Sequence, residues 1–371
     1  MISKLKVSIN PKIMIWAREE MGMNIGYVAK KLECDPLELS DWEKDGNNIP
    51  FSTLKKVAKI YKRQLSVFFL SVIPKKVKKP NDHRNLAGNK DLFSPETLLS
   101  IRRANRYLET ARQIENSSYW NEKYTWLANF NARSSTTISF KATQLRKILD
   151  VPISDQLKLR NSEEAFRYWR SKIEEKMSIF IFQFSMPEDE LDGFSYAFDE
   201  FPFAIVINGN KSSQRKIFTL FNEVAHILRH TSGVCHTDLE LQDRSAIEFE
   251  CNNFAGKFLV PENNLEVAIS ADQIFELARK FKVSGEVYLR RLLEENKIKK
   301  NDFFILLEDV KKKSQSFRRK KRKSPISAII TSKSTRGNKL FDLVMGAAFT
   351  NKLSFSTAAD ILGLRIRSTY V

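Results

Sequence analysis

Cysteine is scarce, with three (Cys34, Cys235 and Cys251) in 371 residues. They form no C-x-x-C pair and no even-numbered framework, which excludes a disulfide-stapled secreted scaffold and makes a reducing cytoplasm the expected location. Long apolar runs are missing too. No stretch approaches the roughly 18 residues a membrane span needs, and the first residues lack the charged-then-apolar order of a secretory leader. Acid is under-represented, with 44 Asp and Glu against 62 Lys and Arg, for a formal net charge of +18. An excess of that size favours polyanionic partners, so double-stranded DNA is expected ahead of any membrane surface. What is present is ordinary globular material: a 42% hydrophobic fraction that includes 27 Phe, in a chain long enough for two or three cores.

Pro11 to Tyr61 reads as a run of short helices. Apolar residues recur at helical spacing from Ile13 to Met21, with Gly22 placed to stop them, and a second helix follows from Ile25 to Leu32. Pro36 sits at the tolerated first turn of a third helix that ends at Asp45-Gly46, and Ile49-Pro50 introduces a fourth. Helix, short turn and helix, with the small Ala29 for close packing, is a helix-turn-helix arrangement. The residues V-A-K-K-L (28–32), Leu39, Trp42, Glu43 and Gly46, and I-P-x-x-x-L-x-x-V-A-x-x-Y (49–61) resemble the Cro/repressor-like (XRE) DNA-binding family. On that resemblance the candidate DNA-facing residues are Tyr27, Lys30, Glu38, Asp41, Lys44 and Lys55. The third helix carries Glu38, Asp41 and Glu43 against Lys44, an awkward balance beside phosphates unless a carboxylate accepts a hydrogen bond from cytosine N4. The rival reading of this helical unit is protein–protein contact, with a homodimer open as an assembly. The domain is expected over 1–73 and a proline-bounded basic linker over 74–93.

Ser94-Pro95 then reads as a capped helix start sustained toward Glu115, and a further helix runs through Ala165–Ile173. The period changes to that of strands over 178–184, 193–198 and 203–208. These lead directly into Phe218–His230, which almost spells H-E-x-x-H, the helical motif that grips zinc with two histidines and sets a glutamate beside the metal's water. Positions four apart share a helix face, so the two ligand positions are 222 and 226. They hold Asn222 and His226, around Glu223. The next helical segment, from Ile247, offers Glu248 and Glu250 as a third ligand.

Helix-turn-helix, linker, strands, F-T-L-x-x-E-x-A-H-x-L-x-H (218–230) and E-x-x-C-N-x-F-A-x-x-x-L-V-P (248–261) together resemble the ImmA/IrrE family of metallopeptidase-like regulators. The resemblance implies zinc as cofactor, Glu223 as catalytic base, and His226 and Glu248 as ligands, with Asn222 at the remaining ligand position. Glu248 is preferred over Glu250 because it stands four residues before Asn252. A neutral amide oxygen is a weak zinc ligand beside imidazole, so affinity should fall steeply. A shifted site using His226 and His230, another i, i+4 pair, with a carboxylate or Cys235, would leave Glu223 on the wrong side for hydrolysis.

The expected fold is α+β and mostly helical: an all-α helix-turn-helix domain, then a zincin-like α+β domain over 94–300 with a small sheet and a helical C-terminal part. A basic loop is expected over 301–336, containing the acid-free run 311–323, and a small helical segment over 337–371. The expected function is a DNA-binding transcriptional regulator whose degenerate metallopeptidase-like domain recognises a partner protein. The alternatives are an active zinc endopeptidase that cleaves a repressor and an antitoxin-like protein-binding module.

Overall fold

The computed structural model describes residues 5–74, 93–131, 137–197, 201–229, 234–235, 246–316 and 327–365. The expected linker, His230, and the basic run beyond 316 lie outside the described residues. Contacts divide the chain into two compact units, one from residues 1–79 and 86–105 and the other from 80–85 and 106–371. Each is taken by itself.

The first unit strings together β1 (Lys6–Val7), α1 (Pro11–Glu19), α2 (Ile25–Leu32), α3 (Pro36–Asp45), β2 (Ile49–Pro50), α4 (Phe51–Ile60) and a tight helical turn at Leu65–Phe69. β1 and β2 pair antiparallel, with Val7 opposite Ile49. The three successive helix starts are capped by Asn10, Asn24 and Asp35, whose side chains accept the backbone N–H of Lys12, Tyr27 and Leu37. Ile13, Met14, Val28, Leu39, Leu54 and Val57 form a core with no exposed surface. Glu43, counted in sequence with the acids Glu38 and Asp41 of this helix, does not share their exposure. It is buried and holds Arg18 of α1 in a two-pronged ion pair at 2.8 and 2.9 Å. Its carboxylate is therefore a structural tie, not a surface charge.

α3 ends at Gly46, whose φ of +73° is left-handed and whose ideal Cβ would stand 2.3 Å from the Ile9 carbonyl oxygen. Gly46→Ala is expected to destabilise this unit by about 1–3 kcal/mol from the backbone conformation alone. Hydrogen exchange of the core amides of α1 and α3 reads the loss; unchanged protection would refute it.

α5 (Pro95–Ile114) begins among the first unit's residues and ends among the second's. The second unit continues with α6 (Ser117–Lys123), α7 (Thr125–Asn131), α8 (Ile138–Leu149), α9 (Ile153–Lys158) and α10 (Ser162–Met177). Strands β3 (Phe180–Phe184), β4 (Gly193–Tyr196) and β5 (Ala204–Asn208) precede α11 (Ser213–Leu228) and β6 (Val234–Cys235). α12 (Ala246–Leu259), α13 (Ala271–Phe281), α14 (Gly285–Glu294), α15 (Lys300–Ser316), α16 (Ala328–Arg336), α17 (Asn338–Phe349) and α18 (Phe355–Leu362) complete it. The sheet order is β3-β5-β4-β6, with β3 parallel to β5 and the other pairs antiparallel. The mostly helical α+β reading holds.

α11 is buried at every position from Lys216 to Leu228, because it lies between the sheet on one side and α10 and α12 on the other. Trp169 of α10 meets Phe221 of α11 and Phe258 of α12 edge-on at 5.2 and 5.4 Å, and the two Phe rings stack at 4.1 Å. Arg146 of α8 and Gln156 of α9 donate to the carbonyls of Phe258 and Leu259, satisfying the end of α12.

The expected basic loop over 301–336 is corrected by the structure. Lys300–Ser316 and Ala328–Arg336 are helices. Phe303, Leu306 and Val310 recur at helical spacing and are buried, so α15 packs on α13 and α14 while its lysines face water. Among the described residues, no helix is long and apolar enough to cross a membrane.

Candidate functional site

Two adjacent residues of α11 look in different directions. Asn222 faces α12, and Glu223 faces β4. The strand approaches closely because Gly193 has no side chain: a Cβ there would lie 2.7 Å from the Thr219 methyl and from the Val206 carbonyl oxygen. That approach sets Ser195, two positions along β4 and on the same face, beside Glu223.

On the α12 side the polar groups close on one another. The Asn222 amide nitrogen donates to Asn252 Oδ1 at 3.0 Å and to Glu248 Oε1 at 3.3 Å. His226 Nε2 lies 3.1 Å from Glu248 Oε2. Cys251, buried between its neighbours, also contacts the His226 ring. Burial works against a charge on His226, but the contacts with Cys251 and Glu248 and the nearby Glu223 outweigh it and raise the imidazole pKa. Asn222, Glu223 and His226 have no exposed surface, and Glu248 and Asn252 are 7% exposed.

Glu223 is differently placed. Neither carboxyl oxygen has a hydrogen-bond partner, and the Ser195 and Thr219 hydroxyls are unpaired as well. Desolvation pushes the Glu223 carboxyl up to about 8; His226 and the nearby Ser195 hydroxyl pull the other way without prevailing.

Whether this set suits zinc is a question of donors. Among the described residues, no three His, Cys, Asp or Glu side chains are arranged to hold a metal ion. At the position of the missing imidazole, Asn222 presents an N–H donor that occupies a lone pair of Glu248. Asn222 is left with its neutral Oδ1, which has no hydrogen-bond partner and is a weak donor beside imidazole, so the residues present fit zinc poorly.

The other sequence candidates fall apart from this cluster. Glu250 lies further along α12 with its carboxylate on Arg229, so it does not join Asn222, His226 and Glu248. His230 and the Cys235 side chain lie outside the described residues. Thr219 stands in the 218–230 motif with no role expected of it there, and Ser195 stands in no motif. Only the pairing of β4 with the rest of the sheet brings Ser195 to the helix.

In the first unit, Tyr27, Lys30, Glu38, Asp41, Lys44 and Lys55 are all exposed. Tyr27 and Lys30 ride on α2, Glu38, Asp41 and Lys44 on α3, and Lys55 on α4. Lys31 stands over the Tyr27 ring at 4.7 Å and Lys55 over Phe51 at 4.6 Å. α4 carries Lys55, Lys56 and Lys59 and no acid, whereas the exposed charges of α3 are mostly acidic.

Comparison with known proteins agrees with this division. Residues 14–68 match the helix-turn-helix family model, and residues 158–293 match the peptidase M78 model, described as the IrrE N-terminal-like domain. No curated protein and no solved structure matches the chain. The chain thus joins an XRE-type helix-turn-helix to a metallopeptidase-like domain of the ImmA/IrrE kind.

Proposed function

We propose that this chain is a DNA-binding transcriptional regulator whose IrrE-like domain recognises a partner protein without zinc-dependent cleavage of it. One observation carries the second half of the reading. Asn222, at a ligand position of the near-miss motif, turns its amide N–H onto Glu248 and Asn252 and ties α11 to α12. A carboxylate engaged by two neighbours in a buried network is already satisfied, and a cation would have to displace those hydrogen bonds to enter. For the first half, the match over 14–68 and a formal charge of +18 support a duplex as the ligand.

Metal analysis of the full chain, purified without added metal, tests the absence of zinc-dependent cleavage. Zinc well below one ion per chain is expected, with no change on His226→Ala. Near-stoichiometric zinc that disappears in His226→Ala overturns the reading. A salt titration of duplex binding by the same preparation tests DNA. The logarithm of affinity should fall linearly with the logarithm of salt, by about 0.9 for each phosphate neutralised. Binding that ignores salt would remove the electrostatic basis of the proposal.

A further inference from the structure

We propose that Glu38 and Asp41 are the base-reading residues of α3 and that each selects cytosine, so that this helix discriminates by acceptance where most basic surfaces only attract. This rests on the DNA-binding reading above, which the helix-turn-helix match supports independently of the charges on α3.

The structure sorts the acids of this helix by what they already do. Asp35 is spent on the N-cap, accepting the Leu37 N–H at 2.8 Å. Glu43 is buried on Arg18. Asp45 accepts the Asn47 N–H at 2.9 Å and so fixes the turn after the helix. Glu38 and Asp41 remain. Both are exposed, and neither carries a hydrogen bond or ion pair to the described residues. They stand three positions apart on one face of α3, Glu38 in its first turn and Asp41 at mid-helix, and the N-terminal part of the recognition helix is what meets base edges. Leu37, 74% exposed, is an apolar side chain in the same turn, and the exposed Lys44 follows Asp41 by three positions.

Two free carboxylates between phosphate rows are repelled, and the repulsion is offset only where each finds a donor. The major groove offers two, cytosine N4 and adenine N6. The adenine amine stands beside the N7 acceptor, which faces the second carboxylate oxygen unfavourably. Cytosine presents N4 with no acceptor on its own edge. A rise of roughly 4.5 Å over three helical residues places the two acids over neighbouring base pairs.

The test is selection of random duplexes by the full chain, then by Asp41→Asn and Glu38→Gln. The parent should enrich two neighbouring cytosines, each preferred about ten- to a hundredfold. An amide that donates as well as accepts suits adenine, so each substitution should change its own position from cytosine to adenine. Each should also raise affinity for unrelated duplex, because a repelled charge is gone. A switch of base preference together with a gain of affinity is not what a structural residue produces, and an unchanged melting temperature confirms that both variants are folded. A motif that neither substitution alters overturns the base assignment and leaves DNA binding standing. If no duplex is enriched and no salt-sensitive binding is found, both readings fall and the α3 face is left to protein contact.

Discussion

Asn222→His is expected to raise zinc affinity by on the order of a hundredfold or more, read by competition with a chromogenic chelator. The substitution acts twice. It removes the amide N–H that Glu248 now accepts, which frees that carboxylate oxygen, and it supplies an imidazole four residues before His226 on the same helix face. Two imidazoles and a carboxylate are a donor set that zinc takes, and losing an outer-sphere partner of such a set already alters affinity ten- to a hundredfold. The variant should also lose something. Asn252 Oδ1 no longer receives its hydrogen bond at 3.0 Å, so without metal a modest drop in stability is expected, recovered on adding zinc. Adding His226→Ala to Asn222→His should abolish the gain. A folded Asn222→His chain with no gain would mean that positions 222 and 226 do not converge on Glu248 as their contacts imply.

Much of that site is legible in the sequence, and the reason is periodicity. Asn222, Glu223 and His226 announce themselves by helical spacing, and Glu248 by its distance from Asn252 within the next helix. What was not legible is how the substituted position closes. Asn222 reads as a weak ligand in sequence. In the fold it is a donor, because Asn252 and Glu248, 30 and 26 residues away, arrive on the facing helix. Ser195 gave no signal, since a lone serine in a strand acquires meaning only from the helix it meets. Glu43 was misplaced for a related reason. Its spacing on α3 puts it among surface charges, and only Arg18, 25 residues earlier on α1, draws it inward. The stretch 301–336 was misread because its lysines and arginines dominate its appearance. Three buried apolar residues of α15 were enough to order a helix beneath them. Helices α7, α8 and α9 also went unread, as they are short and depend on packing against their neighbours, as where Arg146 and Gln156 meet α12.

Arg170→Met is expected to lower stability by about 3–5 kcal/mol, the loss that follows when one partner of a buried ion pair is removed. Arg170 and Glu174 of α10 have side chains 8% and 3% exposed, with Nε and Oε1 3.5 Å apart. That separation is a charge contact more than a hydrogen bond, and the guanidinium spends its other nitrogens elsewhere. One donates to the Ser334 carbonyl at 2.5 Å and another to the carbonyl of Ile181 in β3. Glu174 in turn accepts the Asn338 N–H at 3.2 Å. The pair therefore holds α16 and the start of α17 against α10 and the sheet, and Gly337 lies so close that a Cβ would stand 2.2 Å from Glu174 Oε1. Burial pushes the Glu174 carboxyl up, with Arg170 as the first opposing influence. Without Arg170 that carboxyl must stay charged in an apolar setting or take up a proton, and either is unfavourable. Chemical denaturation reads the size of the loss, and limited proteolysis of the C-terminal helices reads its place. The double variant Arg170→Met with Glu174→Leu separates the two sources. If the uncompensated charge dominates, the second substitution restores much of the stability although it removes another polar group. If the double variant is as unstable as Arg170→Met alone, the carbonyls of Ser334 and Ile181 were the main attachment, and the ion pair contributes little to holding the C-terminal helices on the sheet.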